Sequence, residues 1–418
     1  MTSADVSVVE DDLEDGRESA SADTALMAEL DLEPGHRDYV TAIMLAAGLA
    51  RIRQVHSLMH AGADLARHAS ALLPVPWRSG ATRVWWRYYE AGMQPPESDL
   101  ELMRWCRTPF GEWEVPLRLS AADLETSLIG DGGDLTEFAE QAAHLAIRDV
   151  EAELVENQVY RELMLTADAN GRDEAGAQAV YVYLRCFLTD RAVISDLEVG
   201  ELKRKFKAAG LNGQPYVVGF VNAAYERRPA QGTVSVLVCA GCGNPLTDRA
   251  FGCGTPGCGG GVETLDLRTL GAYYVQHRGT RRFLHDPGLV EKRIREKVRG
   301  LCDPACVTYI DFPGRDAYDG AVEFYDPRLG PDAPPVDVWG CDAKDQASAT
   351  LLGIRFRWKP EPPCRRKFLV VARHRASQPG YLEDLRAELH GRVSGIDVVS
   401  EDRFTQLVEN RAQEVAGS

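Results

Sequence analysis

Apolar positions recur along this chain with two different periods, and the change between them divides it. Ala25–Leu72 is rich in Ala, Leu and Met at helical spacing, with a break at Pro34-Gly35, and Leu135–Leu165 reads as one long helix. Three shorter helices are expected at Gly176–Leu188, Leu197–Ala209 and Tyr216–Arg227, separated by the loops Thr189–Asp196 and Gly210–Pro215. Beyond them the pattern shortens toward a period of two. Val234–Val238 predicts a strand, and so do Tyr318–Tyr325, Val338–Asp342, Arg366–His374 and Gly395–Ser400. Two helices interrupt this series. One is Leu289–Val298, with positions 290, 294 and 298 on one apolar stripe, and the other is Tyr381–His390.

The alternation in Val338-Trp-Gly-Cys-Asp-Ala-Lys344 puts Trp339 and Cys341 on one face and Asp342 and Lys344 on the other. Folded back on Tyr318-Asp319-Gly-Ala-Val-Glu-Phe-Tyr with a turn near residues 327–334, the hairpin places Asp326 opposite Val336 and Asp319 beside Ala343. Asp319 then neighbours Asp342 and Lys344. Two carboxylates and an ammonium at one spot suit a hard cation with a lysine beside it.

A second cluster is Cys239-Ala-Gly-Cys242 followed by Cys253-Gly-Thr-Pro-Gly-Cys258. Two close pairs of thiols ten residues apart have the spacing of a four-cysteine zinc ribbon. All four tetrahedral positions would be taken by sulfur, so the expected Zn2+ is structural. The glycines around the thiols let the backbone turn its amides toward sulfur. Cys106, Cys186, Cys302, Cys306, Cys341 and Cys364 lack a matching second pair and read as core or surface thiols.

Charge refines this picture. The 418 residues carry a net charge of −16, which is unusual for a protein that meets nucleic acid. Its distribution is uneven. Residues 1–35 hold eleven acids and one arginine, a tail low in aromatics and expected to be disordered to about residue 24. Residues 265–300 hold nine Lys/Arg against four Asp/Glu, and residues 355–375 hold eight against one. Arg281, Arg282, Arg365, Arg366 and Lys367 in these segments are candidates for phosphate contact. Lys203, Arg204, Lys205 and Lys207 cluster on the second short helix, and the three short helices suit a helix-turn-helix-like reader or a docking module. His277 and His285 are expected to touch phosphate or solvent. Trp77, Trp85, Trp86, Tyr88 and Tyr89 are expected to form a core or packing seam rather than a base-stacking platform. No run of eighteen apolar residues exists and the N-terminus lacks a signal-peptide pattern, so a cytoplasmic protein without membrane contact is expected.

Asp319, Asp342 and Lys344, with the helix before them and the strand, helix and strand after them, resemble the PD-(D/E)XK nuclease superfamily of restriction-endonuclease fold over roughly residues 288–405. No proline directly precedes Asp319. The nearest is Pro313, which is a departure from the motif. The resemblance implies a Mg2+ (or Mn2+)-dependent endonuclease acting on DNA, with RNA or a hybrid as other substrates. It further implies that Glu291, or second Glu296, adds a metal-facing acid. Tyr225-Glu-Arg-Arg-Pro, the Cys-x-x-Cys-Gly-x-Pro-Leu246 run, Pro313–Asp319 and Asp342-Ala-Lys-Asp345 are similar to the restriction-endonuclease-related proteins of prokaryotic PIWI-RE defence islands. That resemblance is read over residues 175–410 and not in the N-terminal helices. It implies antiviral or anti-plasmid defence with a PIWI-RE protein and a DinG-type helicase as partners. Paired double-strand cuts would call for a homodimer or a partner. The alternative is a catalytically inactive zinc-ribbon DNA-binding adaptor or regulator.

The fold class expected is therefore multidomain: an α-helical N-terminal half, a four-cysteine zinc ribbon and a C-terminal α/β restriction-endonuclease-like core. The domains are an acidic tail (1–24), a helical domain (25–170), a helix-turn-helix-like module (171–230), the ribbon (231–265) and the nuclease domain (266–418).

Overall fold

The computed structural model describes residues 36–60, 73–146, 150–208, 214–246, 252–301, 303–330 and 332–417. The acidic tail, Pro34-Gly35, Cys302 and the Lys207 side chain lie outside the described residues. In chain order the longer helices are α1 (Arg37–His60), α2 (Val75–Glu90), α3 (Asp99–Trp105), α4 (Glu137–Ala146), α5 (Val150–Asn170) and α6 (Glu174–Asp190). They continue with α7 (Asp196–Ala208), α8 (Gln214–Ala224), α9 (Asp286–Leu301), α10 (Ala349–Arg355), α11 (Tyr381–Leu389) and α12 (Glu401–Gly417). The strands are β1 (Val193–Ser195), β2 (Tyr225–Pro229), β3 (Gly232–Cys239), β4 (Val262–Thr269) and β5 (Ala272–Gln276). A second group follows: β6 (Val307–Asp311), β7 (Gly320–Phe324), β8 (Asp337–Lys344), β9 (Arg366–Val371) and β10 (Ile396–Ser400). Among the described residues no helix is long and apolar enough to cross a membrane.

The chain divides into two compact units, the first comprising residues 1–149, 346–356 and 383–389. Its described residues form helices and loops. Its core joins α1, α2, α4 and the loop aromatics Phe110 and Trp113 with Leu351 and Ile354 of α10. Small residues bring α1 and α2 together. A Cβ on Gly48 would lie within 2.6 Å of Trp77, and one on Gly80 within 2.9 Å of Leu45. Trp77 and Tyr88 are buried, as the packing-seam reading requires. Trp85, Trp86 and Tyr89 are not. They are exposed, with Trp85 and Tyr89 stacked at 5.5 Å, because they lie on the side of α2 turned away from α1. Within the single helix expected over Leu135–Leu165, residues 137–146 and 150–165 are helical, and residues 147–149 lie outside the described residues.

The second unit comprises residues 150–345, 357–382 and 390–418. Its first part packs α5, α6, α7 and α8 around Tyr181, Leu184, Phe206, Phe220 and Tyr225. A three-stranded antiparallel sheet in the order β1-β5-β2 closes it. The third short helix, expected to run to Arg227, stops at Ala224, because Tyr225 turns into the core and Tyr225–Pro229 pairs with β5. β5, inside the span expected to be nuclease, belongs to this sheet. The β3–β4 hairpin with its cysteines is thus inserted between β2 and β5. Val236, Val238, Leu265 and Leu267 on its apolar face pack against Val193, Tyr273 and Val275.

The second part is a five-stranded mixed sheet, in the order β10-β9-β8-β7-β6. β8, β9 and β10 run parallel, and β6 and β7 are antiparallel to their neighbours. β6 and α12 are elements the apolar pattern does not mark. Val290, Ile294 and Val298 of α9 and Phe404, Val408 and Val415 of α12 form one core with Val322, Phe324, Trp339, Cys341 and Phe368. The sequence-predicted hairpin register is corrected by one residue. Gly320 pairs with Cys341 and Phe324 with Asp337, not Asp319 with Ala343. The reason is burial. In this register Val322 and Phe324 lie on the Trp339 side of the sheet, the Phe324 and Trp339 rings being 4.8 Å apart. A slip of one residue would turn both side chains to the other face.

Candidate functional site

The observed register brings Asp319, immediately before β7, level with Asp342 on β8. Asp319 Oδ2 accepts from the Ala343 amide at 2.5 Å. The Lys344 ammonium donates to Asp342 Oδ1 and lies 3.7 Å from Asp319 Oδ2. Asp319 and Asp342 are both buried. Burial raises the Asp319 carboxyl well above the usual range, and the nearby Asp342 and Asp316 add to this while Lys344 opposes it. Lys344 is held in its charged form by Asp319, Asp342 and Glu291, against the desolvation that would lower it.

Glu291 sits on α9, buried, with Oε1 2.9 Å from the guanidinium of Arg185 and with Oε2 unpartnered. Burial pushes its carboxyl up to about 8. Arg185 and Lys344 pull it down, whereas Asp319 and Asp316 push it further up. Glu296, the second choice on the same helix, is turned to Lys292 at 4.0 Å with an exposed side chain. Two residues of this neighbourhood are missed by sequence reasoning, Arg185 and Asp316. Neither lies at a motif spacing. The backbone at Phe312-Pro-Gly-Arg-Asp316 gives the one local sign, since Phe312, Arg315 and Asp316 all have positive φ, a strained state for residues with a Cβ.

The cysteines form the second site. Cys239, Cys242, Cys253 and Cys258 have their sulfurs all within 4.8 Å of one another. This is a donor set that can hold a structural metal such as zinc. Burial works against ionisation of Cys239, yet the amides of Cys242 and Gly241 aimed at its sulfur bring it down to about 7. Among the described residues it is the one group of three or more Cys, His, Asp or Glu with ligand atoms so gathered. His285, expected at a phosphate or in solvent, is instead buried. Its ring nitrogens lie 3.1 Å from the Leu188 carbonyl and 2.8 Å from that of Cys242, tying the knuckle to α6. The other knuckle, at Gly257, rests on the His374 ring, and His374 Nε2 lies 3.0 Å from Asp345 Oδ1, the residue after Lys344.

The basic candidates are dispersed in their environments. Arg281 and Arg282 are half-buried in a π-helical turn before α9. Arg365 is exposed and Arg366 pairs with Asp397 at 2.7 Å while lying over the Trp339 and Phe368 rings. Lys367 stands 6.0 Å above Trp358. On α7, Arg204 faces Glu201 and Lys205 covers Tyr183.

Residues 288–416, which contain α9 from its third residue, all five strands of the mixed sheet and nearly all of α12, match the family described as REase associating with pPIWI_RE. The C-terminal part of the chain is thus similar to a family whose description names a restriction endonuclease. Residues 45–195 match a second family, pPIWI_RE three-gene island domain Y, so the chain carries two segments typical of PIWI-RE islands. This corrects the expectation that the N-terminal helices bear no such likeness: most of α1 and all of α2 to α6 fall within that match. No curated protein and no solved structure matches the chain.

Proposed function

We propose that this chain is a metal-dependent nuclease that hydrolyses phosphodiester bonds of DNA in a PIWI-RE defence system of the cytoplasm. The observation that carries the reading is the ammonium of Lys344 between two buried carboxylates, Asp319 and Asp342, with the half-unpartnered Glu291 beside them. These residues fit a divalent cation. A buried acid with an orphaned oxygen and a second acid raised by burial and by its acidic neighbours are what a hard-cation site looks like when its charge is not balanced. Asp319 and Asp342 would hold Mg2+ or Mn2+, with Glu291 as a third acid. Such an ion, when bound, would supply the charge that acidifies a water and polarises a phosphoryl oxygen. Lys344 orients the attacking water and donates to the phosphoryl oxygens as negative charge grows there. The water oxygen bonds to phosphorus as the bond from phosphorus to the leaving sugar oxygen breaks; the attacking water gives its proton to solvent, and the leaving alkoxide takes one from solvent. Arg281, Arg282, Arg365, Arg366 and Lys367 contact the phosphate backbone, and the helix-turn-helix-like module engages the duplex.

In this reading the helices of the first unit, the α5–α8 module with its three-stranded sheet, the ribbon loaded with Zn2+ and the nuclease part with its five-stranded sheet act together. A PIWI-RE protein and a DinG-type helicase are its partners, and two copies acting together would supply a double-strand cut. One observation favours a silent adaptor instead: no three carboxylates of the site gather their oxygens within 4.8 Å among the described residues. The experiment is cleavage of plasmid DNA by the purified full chain with Mg2+ or Mn2+. Asp342→Asn and Lys344→Ala should abolish cutting while leaving the circular dichroism unchanged. Wild-type rates in both variants would remove the site, and a wild type that binds DNA without cutting it would support the adaptor.

A further inference from the structure

One face of α6 is given over to the nuclease centre, although α6 lies outside the segment that matches the nuclease family. Gln178, Tyr181 and Arg185 stand at helical spacing on that face. Gln178 donates to the Phe312 carbonyl at 2.7 Å and accepts from the Arg315 amide at 2.9 Å. It thereby clamps the left-handed segment that leads to Asp319. Tyr181 is fully buried and meets the Phe312 ring edge-on at 6.3 Å. Arg185 reaches furthest toward the acids. It lies over Phe312 at 5.2 Å, donates to the Leu284 carbonyl at 3.0 Å and donates to Glu291 Oε1 at 2.9 Å. α9 comes this close because its residue 288 is glycine. A Cβ there would overlap the Thr189 hydroxyl and stand 3.2 Å from Arg185 Nη1.

A buried arginine paired with a buried acid is costly unless its geometry is used. Here the pair leaves one carboxylate oxygen engaged and the other, Glu291 Oε2, buried and unpartnered. We infer that Arg185 is a positioning residue of the nuclease centre: by holding Oε1 of Glu291 it presents Oε2 to a divalent cation shared with Asp319 and Asp342. The nuclease site is then completed by α6 rather than by the matched segment alone. This rests on the nuclease reading above and adds a residue that touches neither metal nor substrate.

The test is Mn2+ binding to the zinc-loaded full chain, followed by electron paramagnetic resonance without DNA, with plasmid cleavage measured in parallel. Partners behind metal ligands change metal affinity by roughly 10–100-fold when removed. Arg185→Met should weaken Mn2+ binding by about tenfold or more, and Arg185→Lys, which keeps one donor, by less. The double variant R185M/E291Q should bind no more weakly than Glu291→Gln alone, because both changes break one linkage. A merely structural arginine would lower the unfolding temperature without moving the Mn2+ affinity, or would add its loss to that of Glu291→Gln. Either result overturns the inference. If R185M does not fold, R185K with and without E291Q carries the same comparison. Asp342→Asn separates the two levels. If it cuts DNA as wild type does, the nuclease reading fails and the inference with it. If it is dead while folded R185M binds Mn2+ as wild type does, the inference alone fails.

Discussion

Gly257 in the second zinc knuckle offers a perturbation whose size can be worked out by comparison with a neighbour. Gly254 and Gly257 both have left-handed backbones, with φ of +69° and +66°. An alanine at either site pays about 1–2 kcal/mol for that conformation. The surroundings differ. A Cβ on Gly254 meets nothing within 4 Å, whereas one on Gly257 would have Nδ1, Cγ and Cε1 of His374 all within 2.9 Å. The ring cannot yield freely, because His374 also faces Asp345. Overpacking of this kind costs about 1–3 kcal/mol. Gly254→Ala should therefore destabilise the zinc-loaded chain by about 1–2 kcal/mol and Gly257→Ala by about 2–5 kcal/mol. Adding Gly257→Ala to His374→Ala should cost only the backbone part, since the obstacle is gone. The measurement is equilibrium urea unfolding, with zinc release to a chelating dye as a local readout. Equal losses for Gly254→Ala and Gly257→Ala would show that the knuckle does not rest on His374. The link from the cysteines to the residue after Lys344 would then fall.

Two further outcomes follow from the charges and the cysteines. The folded-state pKa of Glu291 lies near 8, above its ordinary 4.5, so between these values the folded chain holds a proton that the unfolded chain has lost. Metal-free protein should lose stability as pH rises through that window, and Glu291→Gln should flatten the loss in paired unfolding curves. Identical pH slopes would mean that Glu291 is not buried as described. One zinc per chain is expected on metal analysis, and Cys239→Ser should lower both zinc content and unfolding temperature, because structural zinc binding is itself folding free energy. A folded, metal-free wild type would refute this.

Much of the chemistry is legible in the chain itself, and the reason is locality. Asp342 and Lys344 share a face because a strand repeats every two residues, whatever it pairs with. The Cys239–Cys242 and Cys253–Cys258 pairs sit in turns that their own glycines permit. The helical stripe of α9 puts Glu291 near the start of its helix before any partner is known. Periodicity in the same way marks α6, α7, α8, β3, β9 and β10 to within a few residues.

What fails is non-local. The β7–β8 register misses by one residue, since the choice rests on Val322 and Phe324 meeting Trp339, a contact across the sheet. The start of β2 reads as helix because its pairing partner β5 lies beyond the whole zinc ribbon. His285 looks like a surface histidine in a basic run and is a buried brace between Leu188 and Cys242. The fate of Trp85, Trp86 and Tyr89 depends on which side of α2 faces α1, and aromatic content does not encode that. Arg185 is the clearest case. In sequence it is one arginine in a helix, and its meeting with Glu291 requires α6, α9 and Gly288 to converge, so long-range packing alone decides it.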